Sequence, residues 1–119
     1  MTSNRIERDG DDAVFHALAD ATRRRILDEL RLGPQTTGAL CDLVPGMSRF
    51  GVMDHLSVLI GAGLVIVTRR GRERVNSLNP VPIQAVYERW MRPFAAPIAR
   101  ELLALRAASE GMRGETDGT

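Results

Sequence analysis

Thr36-Thr37-Gly38-Ala39-Leu40-Cys41-Asp42-Leu43-Val44, a Pro45-Gly46 turn, and then Ser48-Arg49-Phe50-Gly51-Val52-Met53-Asp54-His55-Leu56-Ser57-Val58-Leu59-Ile60-Gly61-Ala62 form the stretch on which the fold depends. Thr36 or Thr37 opens a short helix that buries Leu40, Leu43 and Val44. Ser48 then opens a second helix as its N-cap, and that helix N-terminus is also suited to a phosphate. At about 100° per residue, Val52, Leu56 and Leu59 share one face, while Phe50, Asp54 and Ser57 project from the opposite one. Two short helices across a tight turn, the second apolar on one side and largely polar on the other, make a helix-turn-helix.

Downstream, Gly61 and Gly63 end the second helix, and Leu64 to Arg70 and Glu73 to Leu78 read as two strands around an Arg70-Gly71-Arg72 tip. Arg69, Arg70, Arg72 and Arg74 stand there against Glu73 alone, so the hairpin is cationic. A basic two-stranded hairpin after a helix-turn-helix is a wing: the second helix fits the major groove of double-stranded DNA while the hairpin arginines meet flanking phosphates.

Upstream, Val14, Phe15 and Leu18 recur at helical spacing from Asp11, giving a first helix that ends near Asp20. Thr22 is the expected cap of the next. Its buried stripe is Ile26, Leu27 and Leu30, with Arg23, Arg24 and Asp28 mainly outward and Gly33-Pro34 as the stop. The Arg23-Arg24-Arg25 run reads as a solvated face, with DNA contact as the alternative. After Asn79-Pro80, Ile83, Val86, Tyr87, Trp90, Phe94, Ile98, Leu102 and Leu105 return to helical steps. Pro93 and Pro97 predict a kink or a restart near Arg92.

The expected fold is therefore mainly α with a two-stranded β-hairpin wing, in the order α-α-α-α-β-β-α, a dimeric winged helix-turn-helix. Residues 11–109 make the DNA-binding domain with dimerising terminal helices, and residues 1–10 and 110–119 are loose tails. Phe15, Leu18, Trp90, Phe94, Ile98 and Leu102 are the candidate dimer interface, because they offer more apolar surface than one small core needs. The alternative is that the aromatics cap the monomer core.

Composition narrows the function classes. The 119 residues are 44% hydrophobic and 26% charged with a net charge of +1, which suits one globular domain. All 16 basic residues are arginine. No apolar run approaches a membrane span and the first residues lack a signal core, so no membrane partner and a cytoplasmic location are expected. One cysteine, Cys41, and two histidines, His16 and His55, leave most metal and nucleophile chemistries without parts. No catalytic constellation stands out, so no enzyme is read here, and no cofactor or metal site is assigned.

Three stretches resemble the ArsR-type (ArsR/SmtB-like) bacterial transcriptional repressors. They are Phe15-His16-Ala17-Leu18-Ala19-Asp20-Ala21-Thr22-Arg23-Arg24-Arg25-Ile26-Leu27, the helix Ser48 to Leu59, and Ala62-Gly63-Leu64-Val65. Together they place Phe15 to Trp90 within the family pattern. The resemblance implies a homodimer paired through the first and last helices, with two recognition helices reading a roughly two-fold operator. The residues do not identify an inducer.

Two positions depart from the pattern. Many members sense metal through a Cys-x-Cys pair on the third helix or through ligands on the last; here Ala39 stands where the first cysteine would be, and the last helix has no histidine. This resembles the metal-independent branch, with Cys41 a small buried hydrophobe. A metal- or thiol-responsive regulator through Cys41 is the alternative. Asp54 occupies a position where relatives carry basic or amide side chains. It accepts from a cytosine amine, or it is a solvated or Arg49-paired carboxylate that permits a protein-interaction module without DNA binding.

The candidate DNA-binding residues are Ser48, Arg49, Phe50, Met53, Asp54, His55 and Ser57 on the helix and Arg69, Arg70, Arg72 and Arg74 on the wing. Phe50 either meets a thymine methyl or packs on the preceding turn. His55, at the edge of the apolar face, packs and also touches a phosphate.

Overall fold

The computed structural model describes the backbone of residues 2–117 and the side chains of residues 9–111. It divides into two compact units, one ending at Ala85 and one beginning at Val86.

In the first unit the order is α1 (Thr2–Leu18), α2 (Ala21–Arg31), β1 (Gln35–Thr36), α3 (Thr37–Asp42), α4 (Arg49–Gly61), β2 (Val65–Arg70) and β3 (Glu73–Leu78), with α5 (Val81–Val86) closing it. The buried apolar set is drawn from α1 to α4 and the start of the wing: Val14 and Ala17, Ile26 and Leu30, Leu40, Val52 and Leu56, Leu64. Val14, Ile26, Leu30, Leu40, Val52 and Leu56 are positions that the 3.6-residue period assigns to inner faces, whereas on α1 Ala17 is buried and Phe15 of the expected stripe is exposed. Helix α1 begins at Thr2 instead of near Asp11, and so takes in a stretch where the sequence shows no apolar period. Met1 and residues 118–119, which the sequence assigns to the tails, lie outside the described residues.

Capping explains the other boundaries. Helix α2 is capped by Asp20, whose Oδ1 accepts the backbone N–H of Arg23 at 3.1 Å, and not by Thr22, which lies inside the helix. That bond is the first cause holding the Asp20 carboxyl below its ordinary value, aided by the nearby His55 and Arg23. The cap is therefore complete at neutral pH and is lost on acidification as the carboxylate takes up its proton. Thr36 caps α3 through Ala39 N–H at 3.1 Å, and Ser48 caps α4 through Gly51 N–H at 3.1 Å. At the far end of α4 the N–H of Gly63 bonds to Ile60 O and that of Leu64 to Leu59 O, the paired bonds of a Schellman ending. Gly63 supplies the positive φ (77°) this ending requires.

The wing is a hairpin, but the sheet has three strands in the order β1-β3-β2, all antiparallel. Val65 pairs with Leu78 and Arg70 with Glu73, leaving Gly71-Arg72 as a two-residue turn. Gly71 takes φ 64° at its first position, the glycine site of a type II′ turn. The third strand corrects the two-stranded expectation: two residues are too short to show alternation. It is fastened by Asn76, fully buried in the central strand, whose Nδ2 donates to Gln35 O (3.2 Å) and Thr37 Oγ1 (3.1 Å).

In the second unit, Tyr87–Met91 form a π-helical turn followed by α6 (Arg92–Asp117). The N–H of Arg92 bonds to Tyr87 O, five residues back. A wider turn there opens the ladder just before Pro93, which has no N–H and whose ring would crowd a regular preceding turn. The restart expected near Arg92 falls at that residue. Pro97 is carried inside α6. The apolar side chains Phe94, Ile98, Leu102 and Leu105 are all exposed.

Candidate nucleic-acid interface

Helices α3 and α4 are joined by a turn in which Val44 N–H bonds to Cys41 O and Met47 N–H to Val44 O. Helix α4 buries Val52, Leu56 and Leu59 and exposes Arg49, Phe50, Asp54 and Ser57, with Met53 and His55 half-buried between the faces. Phe50 is 84% exposed, so it does not pack on the preceding turn, one of its two expected states. Asp54 makes no ion pair with Arg49 or with any other described residue, which removes the paired-carboxylate alternative.

The wing brings its arginines to the same region. Arg69 and Arg74 are cross-strand partners, and Arg70 and Arg72 flank Gly71 at the tip. A cleft of about 320 Å³ is lined by Thr36, Thr37, Gly38, Arg49, Arg69, Arg72, Glu73 and Arg74, so it joins the start of the helix-turn-helix, the start of α4 and the wing. Among the described residues none of the guanidiniums of Arg49, Arg69, Arg70, Arg72 and Arg74 is engaged by a hydrogen bond or ion pair. Unpaired guanidiniums converging on one cleft form an anion-binding surface.

Arg23 corrects the sequence reading. It is 9% exposed, and it ties three elements together: Nε donates to Ala17 O and Nη2 to His16 O, both at 2.8 Å, while Nη1 donates to His55 Nδ1 at 3.3 Å. The last carbonyls of α1, α2 itself and the recognition helix thus share one guanidinium. Arginine only donates, so His55 Nδ1 is the accepting atom of this contact. The Asp20 carboxylate lies 3.9 Å from the same Nδ1, beyond hydrogen-bond reach. A signal for Arg23 was present in its spacing: positions 23, 26, 27 and 30 form one helical stripe. Arg24 stays exposed and donates to Leu18 O at 2.7 Å, and Arg25 is exposed.

Cys41 is a free, half-buried thiol on α3. Among the described residues no three His, Cys, Asp or Glu side chains gather in a way that could hold a metal ion, and no helix is long and apolar enough to cross a membrane. Phe15 and Leu18 are partly exposed on α1, and Trp90, Phe94, Ile98 and Leu102 are exposed in the second unit.

A helix-turn-helix with an open-faced second helix, followed by an arginine-tipped hairpin, defines a DNA-binding transcriptional regulator of the winged helix-turn-helix class. The helix-turn-helix domain family matches residues 18–68. The chain is 38% identical over 86 residues to the uncharacterized HTH-type transcriptional regulator YuzN of Bacillus subtilis (strain 168), covering 67% of this chain and 94% of that one. It is 35% identical over 81 residues to the transcriptional repressor SdpR of the same organism, covering 68% and 88%. The structure of an ArsR-like transcriptional regulator from Rhodococcus sp. RHA1 superposes with a TM-score of 0.65 at 30% identity, covering 85% of this chain and 93% of that one. The chain belongs to the ArsR-type winged helix-turn-helix transcriptional regulators. Both of these relatives are named as transcriptional regulators.

Proposed function

We propose that the protein is a cytoplasmic, metal-independent repressor that binds a two-fold operator as a homodimer. Helix α4 lies in the major groove, with Arg49, Phe50, Met53, Asp54 and Ser57 toward base edges and Ser48 and His55 near the backbone. Arg69, Arg70, Arg72 and Arg74 lie along flanking phosphates. The observation that carries this reading is the cleft where Arg49 and three wing arginines converge without partners among the described residues. The similarity to SdpR, named a repressor, supports the direction of regulation. A metal response is disfavoured because Cys41 alone supplies one ligand where a soft-metal site needs three or four. Dimerisation is supported by the exposed apolar side chains of α6 and by the family.

Binding measured against salt tests the reading. Arg72→Ala or Arg74→Ala is expected to weaken binding to all duplexes and to lower the salt slope by about two units, as loss of one phosphate contact in each protomer of the dimer requires. Lost sequence discrimination at an unchanged slope would reassign these arginines to base readout.

Asp54 has a separate expected outcome. A carboxylate cannot donate to guanine or neutralise phosphate, but it accepts from the cytosine amine. Asp54→Ala is expected to lose about 1–3 kcal/mol of preference at one base pair while non-specific affinity holds or rises. Uniform tightening across single-base operator variants would show a merely repulsive charge.

A further inference from the structure

We infer that Phe50 and Met53 read the C5-methyl group of a thymine, so that the operator carries a thymine that its methyl group alone specifies. This rests on the DNA-binding reading above and deepens it. Phe50 stands almost fully exposed on the first turn of α4. Arg49, Phe50 and Met53 line an apolar pocket of about 260 Å³ at that end of the helix. Arg49 also lines the cationic cleft that runs to the wing, so the pocket opens beside unpaired guanidiniums. Its occupant therefore carries an apolar group close to an anion, and a strand of DNA offers that pair.

Among base edges in the major groove, guanine presents acceptors, cytosine an amine, adenine both, and thymine an acceptor and a methyl group. A phenyl ring has no polar atom and a thioether is only a weak acceptor. Neither can discriminate a polar edge, and either would desolvate one without replacing its hydrogen bonds. The methyl group is the base feature whose burial against them is favourable. Asp54, one turn further along, repels acceptor atoms, so it adds no attraction for the thymine carbonyl and leaves recognition to the methyl. Arg49, at the pocket rim, suits the phosphate of the same strand.

The test compares thymine with deoxyuridine, which has the same hydrogen-bonding edge and no methyl. Duplexes bound by the wild-type protein are first selected from a random pool, and each thymine of the selected site is then replaced singly by deoxyuridine. One position in each half-site is expected to weaken binding about three- to tenfold, the scale of one buried methyl group. Phe50→Ala, at an exposed position and with an unchanged melting curve, is expected to lose about the square of that factor on the thymine duplex, because it removes the contact in both half-sites, and to be indifferent to deoxyuridine at that position.

If every replacement is silent in the wild type, or if Phe50→Ala keeps the deoxyuridine penalty, the methyl reading is overturned while DNA binding stands. Equal weakening by Phe50→Ala on all duplexes would overturn it in favour of a non-specific wedge. Failure of the wild type to select any duplex would overturn both readings.

Discussion

A Trp90→Ala, Phe94→Ala double variant is expected to sediment as a monomer at micromolar concentration, where the wild-type chain sediments as a dimer. Phe94 is 67% exposed and Trp90 47%, and Ile98, Leu102 and Leu105 continue the apolar positions along α6 at steps of three and four. Residues so spaced lie on one side of a helix, and an exposed row of this kind suits a helix-helix seam. Large aromatics at such a seam contribute about 2–4 kcal/mol each when truncated. Together they lower dimer affinity by on the order of a thousandfold or more. Ile98→Glu tests the same seam without a cavity, because a charge buried in an apolar contact opposes association while the exposed monomer tolerates it. A wild-type chain that is monomeric at micromolar concentration, or a double variant that remains dimeric, would remove the dimer reading.

The second large effect is expected at Arg23. Its guanidinium satisfies two carbonyls at the end of α1, where a cation also meets the negative end of the helix dipole, and it reaches His55 on the recognition helix. Truncation to alanine leaves those acceptors without their donors, at a cost of about 2–3 kcal/mol for hydrogen bonds to a charged group. That corresponds to a fall in Tm on the order of 10 °C for a domain of this size, read at fixed protein concentration. Arg23→Lys is expected to recover only part of it, since an ammonium on a flexible stem cannot match three acceptors held by a planar fork. An Arg23→Ala variant as stable as the wild type would show that the bridge contributes nothing net.

How much of this was legible in the sequence differs from one feature to another. The two helices about Pro45-Gly46 were read from the period of Leu40, Val52, Leu56 and Leu59, and their start at Ser48 from the side chain that caps it. The hairpin is legible from its glycine tip, and its arginines are legible as phosphate contacts from their charge at that tip. The period also shows Phe50 on the outward face, but not whether its ring folds back onto Met47 and the preceding turn. The structure leaves it in solvent.

What the sequence determined by itself is what short-range physics controls: the order of the helices and hairpin, the cap at Ser48, the stop at Gly63 and the restart at Arg92, just before Pro93. Each depends on torsions and hydrogen bonds within a few residues, which the residue types there dictate. Tertiary structure alone decided the third strand, the burial of Asn76 and the conversion of Arg23 from a surface charge into a bridge. It also decided the gathering of Arg49 with the wing arginines around one cleft. Those outcomes depend on which surfaces meet across tens of residues: β1 exists because Asn76 on β3 reaches back to Gln35 and Thr37, and Arg23 is buried because the end of α1 and His55 of α4 close over it. A two-residue strand or a single arginine has too little local preference to announce such a partner, so packing decides its role.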